Sequence, residues 1–91
     1  MNRAELVTAI AGKSGLQKKD AERATGAMFE VIEEALAQGD KIVISGFGSF
    51  EVRDRAARTG RNPQTGEEIQ IAATKVPVFK PGKTLRAAVQ D

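Results

Sequence analysis

The chain has 91 residues, a formal charge of +2, 41% hydrophobic residues and neither cysteine nor histidine. That length fits one domain. Disulfides are excluded, zinc lacks its usual nitrogen and sulfur ligands, and enzyme chemistry lacks its commonest base and its thiol nucleophile.

In chain order, Asn2 followed three residues later by Glu5 resembles a capping box, and Leu6, Val7 and Ile10 share a helical face. This predicts a helix from Arg3 to about Lys13, stopped by Ser14 and Gly15. A second helix is predicted from Lys18 to Gln38. Ala21, Ala24, Met28, Ile32 and Ala35 keep helical spacing, and Phe29, Val31 and Leu36 widen the stripe beyond what one short helix covers. Gly26 costs this helix about 1 kcal/mol relative to alanine and marks close packing. Glu30, Glu33 and Glu34 form a solvated face, and Gly39 is the C-cap. Ile42-Val43-Ile44 reads as a short buried strand, Ser45-Gly46 as a turn, and Phe47-Gly48-Ser49-Phe50 as the start of another strand. Further on, Val76-Pro77-Val78-Phe79 reads as a strand ending, with Pro77 at an edge or a break. Lys80-Pro81-Gly82 turns the chain. Lys83 to about Gln90 forms a short last helix, with Leu85, Ala88 and Val89 facing inward.

Between the strand signals lies Arg53 to Glu68, with four arginines, one proline and no large apolar side chain. Such a segment has almost nothing to bury in a core. Strand-like residues on both sides and the Gly60-Arg61-Asn62-Pro63-Gln64-Thr65-Gly66 run make it the tip of a long hairpin. From Arg53 to Arg61 this arm reaches roughly 25–30 Å. Arg53 and Arg55 share a strand face; Arg58 is out of that phase unless a bulge or twist intervenes at Ala56-Ala57. Residues 1–50 hold six basic and seven acidic side chains, residues 51–91 eight and five. The surplus cations therefore sit with the arm and point to a polyanion, since guanidinium groups suit phosphates and narrow minor grooves. Pro63 is either a turn residue or a rigid apolar wedge between base pairs. Lys75, Lys80, Lys83 and Arg86 form a second basic group that either holds flanking phosphates or merely aids solubility.

Competing motifs are weaker. Gly46-Phe47-Gly48 lacks the third glycine and the following helix of a phosphate loop. The first two helices, joined by Ser14-Gly15-Leu16-Gln17, have helix-turn-helix order, but Asp20 and Glu22 follow Lys18 and Lys19 where base-reading groups belong; a core-building hairpin is preferred. No long apolar run follows the N-terminus, so the expectation is a soluble intracellular protein without a membrane segment. If the arm leaves the body, too little chain remains for a self-sufficient core, and association is the remaining remedy.

Gly46-Phe47-Gly48-Ser49-Phe50, Arg58-Thr59-Gly60-Arg61-Asn62-Pro63-Gln64-Thr65-Gly66 and Val76-Pro77-Val78-Phe79-Lys80-Pro81-Gly82-Lys83 resemble the signature runs of the bacterial HU and integration host factor family. The resemblance spans the chain. It implies an α+β fold with a helical hairpin base, a three-stranded antiparallel sheet, a long protruding β-arm and a short C-terminal helix, in an intertwined dimer. It implies one histone-like domain, 1–91, with the helical dimerisation base and first strands in 1–50, the arm in 53–75, and the strand end and last helix in 76–91. Its implied DNA-binding residues are Arg53, Arg55, Arg58, Arg61, Asn62, Pro63, Gln64, Lys75, Lys80, Lys83 and Arg86, with Pro63 intercalating. Its implied dimer core is Met28, Phe29, Ile32, Leu36, Ile44, Phe47, Phe50 and Phe79. Gln17 departs from the family pattern, in which serine or threonine caps the second helix. The implied function is architectural: sequence-tolerant minor-groove binding, bending and compaction of the bacterial nucleoid in the cytoplasm, without enzyme activity, metal or cofactor. The implied partners are double-stranded DNA, nicked or distorted DNA preferred, and a second copy or a paralogue. The alternative is a site-specific bender of integration host factor type.

Overall fold

A computed structural model describes residues 1–90; Asp91, the end of the 76–91 segment, lies outside them. The chain forms two compact units, divided after Ala35.

The first unit holds helix α1 (Arg3–Ser14) and most of helix α2 (Lys18–Ala37). The Glu5 backbone N–H donates to Asn2 Oδ1 at 2.9 Å, so the sequence-expected cap starts α1. Gly15, at φ 76°, ends it by donating its N–H to the Ala11 carbonyl. Helix α2 begins at Lys18 despite Gln17, because the Gln17 backbone carbonyl accepts the N–H groups of both Asp20 and Ala21 at 3.0 Å. The Arg3 guanidinium lies 5.3 Å from the Phe29 ring centroid, a cation–π contact. It also stands 3.1 Å from where a β-carbon on Gly26 would be, a tight approach by the end of a flexible side chain. Buried Thr25 satisfies its hydroxyl by donating to the Ala21 carbonyl at 2.7 Å.

In the second unit, strands β1 (Ile42–Ile44), β2 (Gly48–Arg55) and β5 (Thr74–Pro81) form an antiparallel sheet in the order β1-β2-β5. Strands β3 (Arg58–Arg61) and β4 (Glu68–Ile71) form a separate hairpin, and helix α3 (Lys83–Val89) closes the chain. β5 is an edge strand with Pro77 opposite Val52, so the missing N–H costs no ladder bond on its open side. The expected turn at Lys80-Pro81-Gly82 is shorter than read, because β5 continues through Pro81 and Gly82 caps α3. Phe50 lies opposite Phe79 with ring centroids 4.9 Å apart, and Phe47 stacks against Phe79 at 5.6 Å.

Two expectations of burial are corrected. Ile42-Val43-Ile44 is a strand but not a buried one: Val43 is 70% exposed and Ile44 42%. β1 is a three-residue edge strand in which only Ile42 is half-buried. In α3 only Leu85 is half-buried; Ala88 is exposed and Val89 is 76% exposed. Among the described residues, Val7 and Ala21 are the only buried hydrophobic side chains. No described helix is long and apolar enough to cross a membrane.

The start of α3 is fixed to the β1–β2 turn by backbone alone. Gly82 N–H donates to the Phe47 carbonyl at 2.7 Å and Thr84 N–H to that of Gly46 at 3.0 Å. A β-carbon on Gly82 would stand 2.7 Å from the Gly46 carbonyl oxygen. Gly82→Ala is therefore expected to lower stability by about 1–3 kcal/mol through forced backbone movement, read from urea or thermal unfolding.

Candidate nucleic-acid interface

The β2–β5 and β3–β4 ladders keep a single register. Gly48 pairs with Pro81 and Arg55 with Thr74; after a gap, Arg58 pairs with Ile71 and Arg61 with Glu68. Three steps forward on one strand match three steps back on the other, so no bulge is inserted. Pairing lapses only at Ala56-Ala57 and Ala72-Ala73, four small side chains that face one another with little to pack and little β-propensity. Arg58 thus differs from Arg55 by a break common to both strands, which is the outcome for the phase left open by the sequence.

Register and alternation assign the faces. Ser49, Glu51, Arg53 and Arg55 share one face of β2 with Thr74, Val76, Val78 and Lys80 of β5. Phe50 and Val52 lie on the other, with Ile42, Pro77 and Phe79. Within the arm, Arg58 and Gly60 share a face with Ile69 and Ile71, while Thr59 and Arg61 lie with Gln70 and Glu68. A β-carbon on Gly60 would come within 2.8 Å of Ile71 Cδ1. The two isoleucines therefore lie over a glycine notch, a small apolar pack in the arm that the sequence reading missed. Its signal was the Ile69-Gln70-Ile71 alternation opposite Gly60.

The tip is tightly organised. Asn62 N–H donates to the Glu67 carbonyl at 2.8 Å, Gly66 N–H to the Asn62 carbonyl at 2.7 Å, and Gln64 N–H to Asn62 Oδ1 at 2.9 Å. Gly66 adopts φ 74°, a left-handed conformation that glycine reaches at little cost. Asn62 thus builds an Asx turn with its acceptor oxygen, leaving only its amide donors for a partner. Pro63 sits in that turn, exposed, with Gln64 beside it.

The cations fall into two groups. Lys80 Nζ lies 2.7 Å from Glu51 Oε1, Arg53 Nη2 3.8 Å from the same oxygen, and Lys41 Nζ 4.0 Å from Glu51 Oε2. The hydrogen bond from Lys80 is the largest cause holding the Glu51 carboxyl below its usual pKa; partial desolvation opposes it, and the charges of Lys80, Lys41 and Arg53 add to it. Among the described residues, Arg55, Arg58, Arg61, Lys75, Lys83 and Arg86 form no salt bridge, and all six are exposed. Lys41 and Glu51 were not singled out from sequence. Glu51-Val52-Arg53 alternation was visible, but Lys41 meets Glu51 only through the β1–β2 register.

A family model described as bacterial DNA-binding protein matches residues 1–90. DNA-binding protein HU of Geobacillus stearothermophilus is 62% identical over 90 residues, covering 99% of this chain and 100% of that protein. DNA-binding protein HU 1 of Bacillus subtilis is 61% identical over 89 residues, covering 98% and 97%. An Anabaena HU–DNA cocrystal structure superposes with a TM-score of 0.89 at 50% identity, covering 98% of this chain and 97% of that one. HU from Thermotoga maritima superposes with a TM-score of 0.72 at 39% identity, covering 99% and 100%.

The Glu51 cluster carries a pH signature. A carboxyl whose folded pKa is depressed stabilises the fold above its unfolded pKa and loses that contribution as pH falls through the folded value. Wild type is expected to melt above Glu51→Gln at neutral pH, with the gap closing as pH falls through and below the ordinary glutamate range. A gap that persists at low pH would show that the carboxylate charge is not its source.

Proposed function

The chain belongs to the bacterial DNA-binding protein family of HU and integration host factor, and from that membership we propose how it works on DNA. It is an architectural DNA-binding protein that holds duplex DNA with little sequence specificity. The observation that carries the mechanism is a single-register hairpin with unpaired arginines and an exposed proline in its tip turn.

In this mechanism the arm enters the minor groove. Arg55, Arg58 and Arg61 meet phosphates and groove floor, Asn62 and Gln64 donate amide hydrogens beside them, and Pro63 intercalates. Intercalation unstacks a base step at a cost of roughly a few kcal/mol and kinks the duplex by about 20–90°, the range known for minor-groove benders, HU and integration host factor included. Arg53, Lys75, Lys80, Lys83 and Arg86 hold flanking phosphates. Nicked or pre-kinked DNA binds more tightly because part of the unstacking cost is already met. Bending of this kind compacts the nucleoid, and the protein works there, in the bacterial cytoplasm. The work is mechanical and uses no catalytic group or cofactor. The site-specific alternative has less support, since the curated relatives above carry the name HU.

The binding unit is a dimer. Apolar side chains stay uncovered: Met28 is 46% exposed and Phe47 47%, and none of Phe29, Ile32, Leu36, Ile44, Phe50 or Phe79 is fully buried. A second copy covers these residues, giving one histone-like domain whose 1–50 region is the dimerisation base, 53–75 the arm and 76–91 the strand end and last helix.

Two outcomes are expected. Sedimentation gives a dimer whose melting temperature rises with concentration, and Phe47→Ala destabilises it by about 3 kcal/mol, as for a core phenylalanine; a stable monomer indifferent to that substitution would exclude the dimer core. In DNA titrations the affinity falls with salt at a log–log slope of about −0.9 per phosphate contact, and wild type favours nicked over intact duplex. Pro63→Ala narrows that preference while largely keeping the slope. Equal wild-type affinity for both duplexes would rule out intercalation, and a preference for selected over random sequence above about 10³ would favour the site-specific alternative.

A further inference from the structure

The proposed interface contains a carboxylate among its cations. Glu51 shares a sheet face with Arg53, Arg55 and Lys80, and its two oxygens lie within 4.0 Å of Lys41, Arg53 and Lys80. The Lys80 contact, at 2.7 Å, is a charge-assisted hydrogen bond of the kind a phosphate oxygen makes. The three cationic side chains are 54–60% exposed, so solvent and ligands reach them, while Glu51 at their centre is only 21% exposed. Stability alone gives a weak reason for this cluster, because exposed ion pairs contribute little. Its place on a face of unpaired cations gives a stronger one.

Resting on the DNA-binding reading above, we propose that Glu51 is an internal competitor for DNA phosphate. It occupies Lys80, shares Arg53 and Lys41, and so limits how strongly the sheet face holds the duplex. A phosphate approaching this face must either displace the carboxylate from Lys80 or bind beside it. In the first case the freed carboxylate gathers a solvent cation and cancels one of those released from DNA; in the second, one protein cation is unavailable. Both reduce affinity and flatten its salt dependence. Arg55, Arg58 and Arg61 carry no such partner among the described residues, so binding is weighted toward the arm. Glu51 is thus a residue that sets affinity and the division of binding between sheet and arm.

The test compares full-length wild type, Glu51→Gln, Glu51→Ser and Asp54→Asn by fluorescence titration of one random-sequence duplex over a salt series. Asp54 follows Arg53 in β2 on the strand face opposite to Glu51, makes no salt bridge among the described residues, and loses the same single charge. Both Glu51 variants are expected to bind about two- to fivefold more tightly at low salt, the worth of one released exposed ion pair. Their slopes are expected to steepen by about 0.9 for each protomer that gains a phosphate contact. Asp54→Asn is expected to move both quantities less. Glu51 variants that match wild type, or an Asp54→Asn shift as large as theirs, would overturn the inference by leaving no effect or one of net charge alone. Failure of wild type itself to bind would instead overturn the DNA-binding reading, and this inference with it. Thermal melts of all four proteins establish that each is folded under the titration conditions.

Discussion

Cross-strand pairing of β2 with β5 is the interaction on which the rest depends. One uninterrupted register sets Phe50 against Phe79 on one face and gathers Glu51, Arg53 and Lys80 on the other. The same register resumes in β3 and β4 and ends at the Asn62–Glu67 backbone bond that closes the tip. A slip of one residue would exchange the two faces, burying charges where the phenylalanines lie and exposing the aromatic rings among the cations. The alanine break keeps that register because it removes equal numbers of residues from both strands.

An arm of this kind takes residues away from core formation. Val7 and Ala21 are the only buried hydrophobic side chains among the described residues, and burial of apolar surface is the main favourable term in folding. The half-exposed stripe of α2 and the phenylalanine cluster of the sheet are what such a chain retains to offer a second copy. Association and DNA binding are then two consequences of one allocation. Residues that would have thickened a monomer core instead build a finger, and in the proposed dimer a second copy makes good the lost core.

Much of this was legible in the sequence, for reasons specific to each element. Asn2, Gly15 and Gly39 punctuate the helices through backbone physics that acts locally, and the boundaries fell within a residue or two of expectation. The arm was legible because a run so poor in apolar residues has no place in a core. Burial was not: Ile42-Val43-Ile44 and Val89 look like interior residues, but apolar character states what a side chain favours, not whether this chain alone supplies a cover. Lys41 and Glu51 were missed because their meeting depends on the β1–β2 register, which is long-range information. Gly60 and Asn62 were visible as turn residues, but the isoleucine notch and the Asx turn needed three dimensions.

The distribution of charge follows from the same geometry. Cations concentrated in a compact body repel one another and raise the cost of folding. Along an extended hairpin, the three-residue step from Arg55 to Arg58 spans roughly 10 Å, about the distance over which salt screens exposed charges. The arm can therefore keep its arginines unpaired at little cost. At the root of the hairpin no such spacing exists, because Lys41 just before β1, Arg53 of β2 and Lys80 of β5 meet around one carboxylate. Glu51 lies among them and offsets part of their repulsion, weakly because the cations are exposed. Compensation at the root and its absence along the arm separate a guarded group of cations from an open one along two ladders that keep one register.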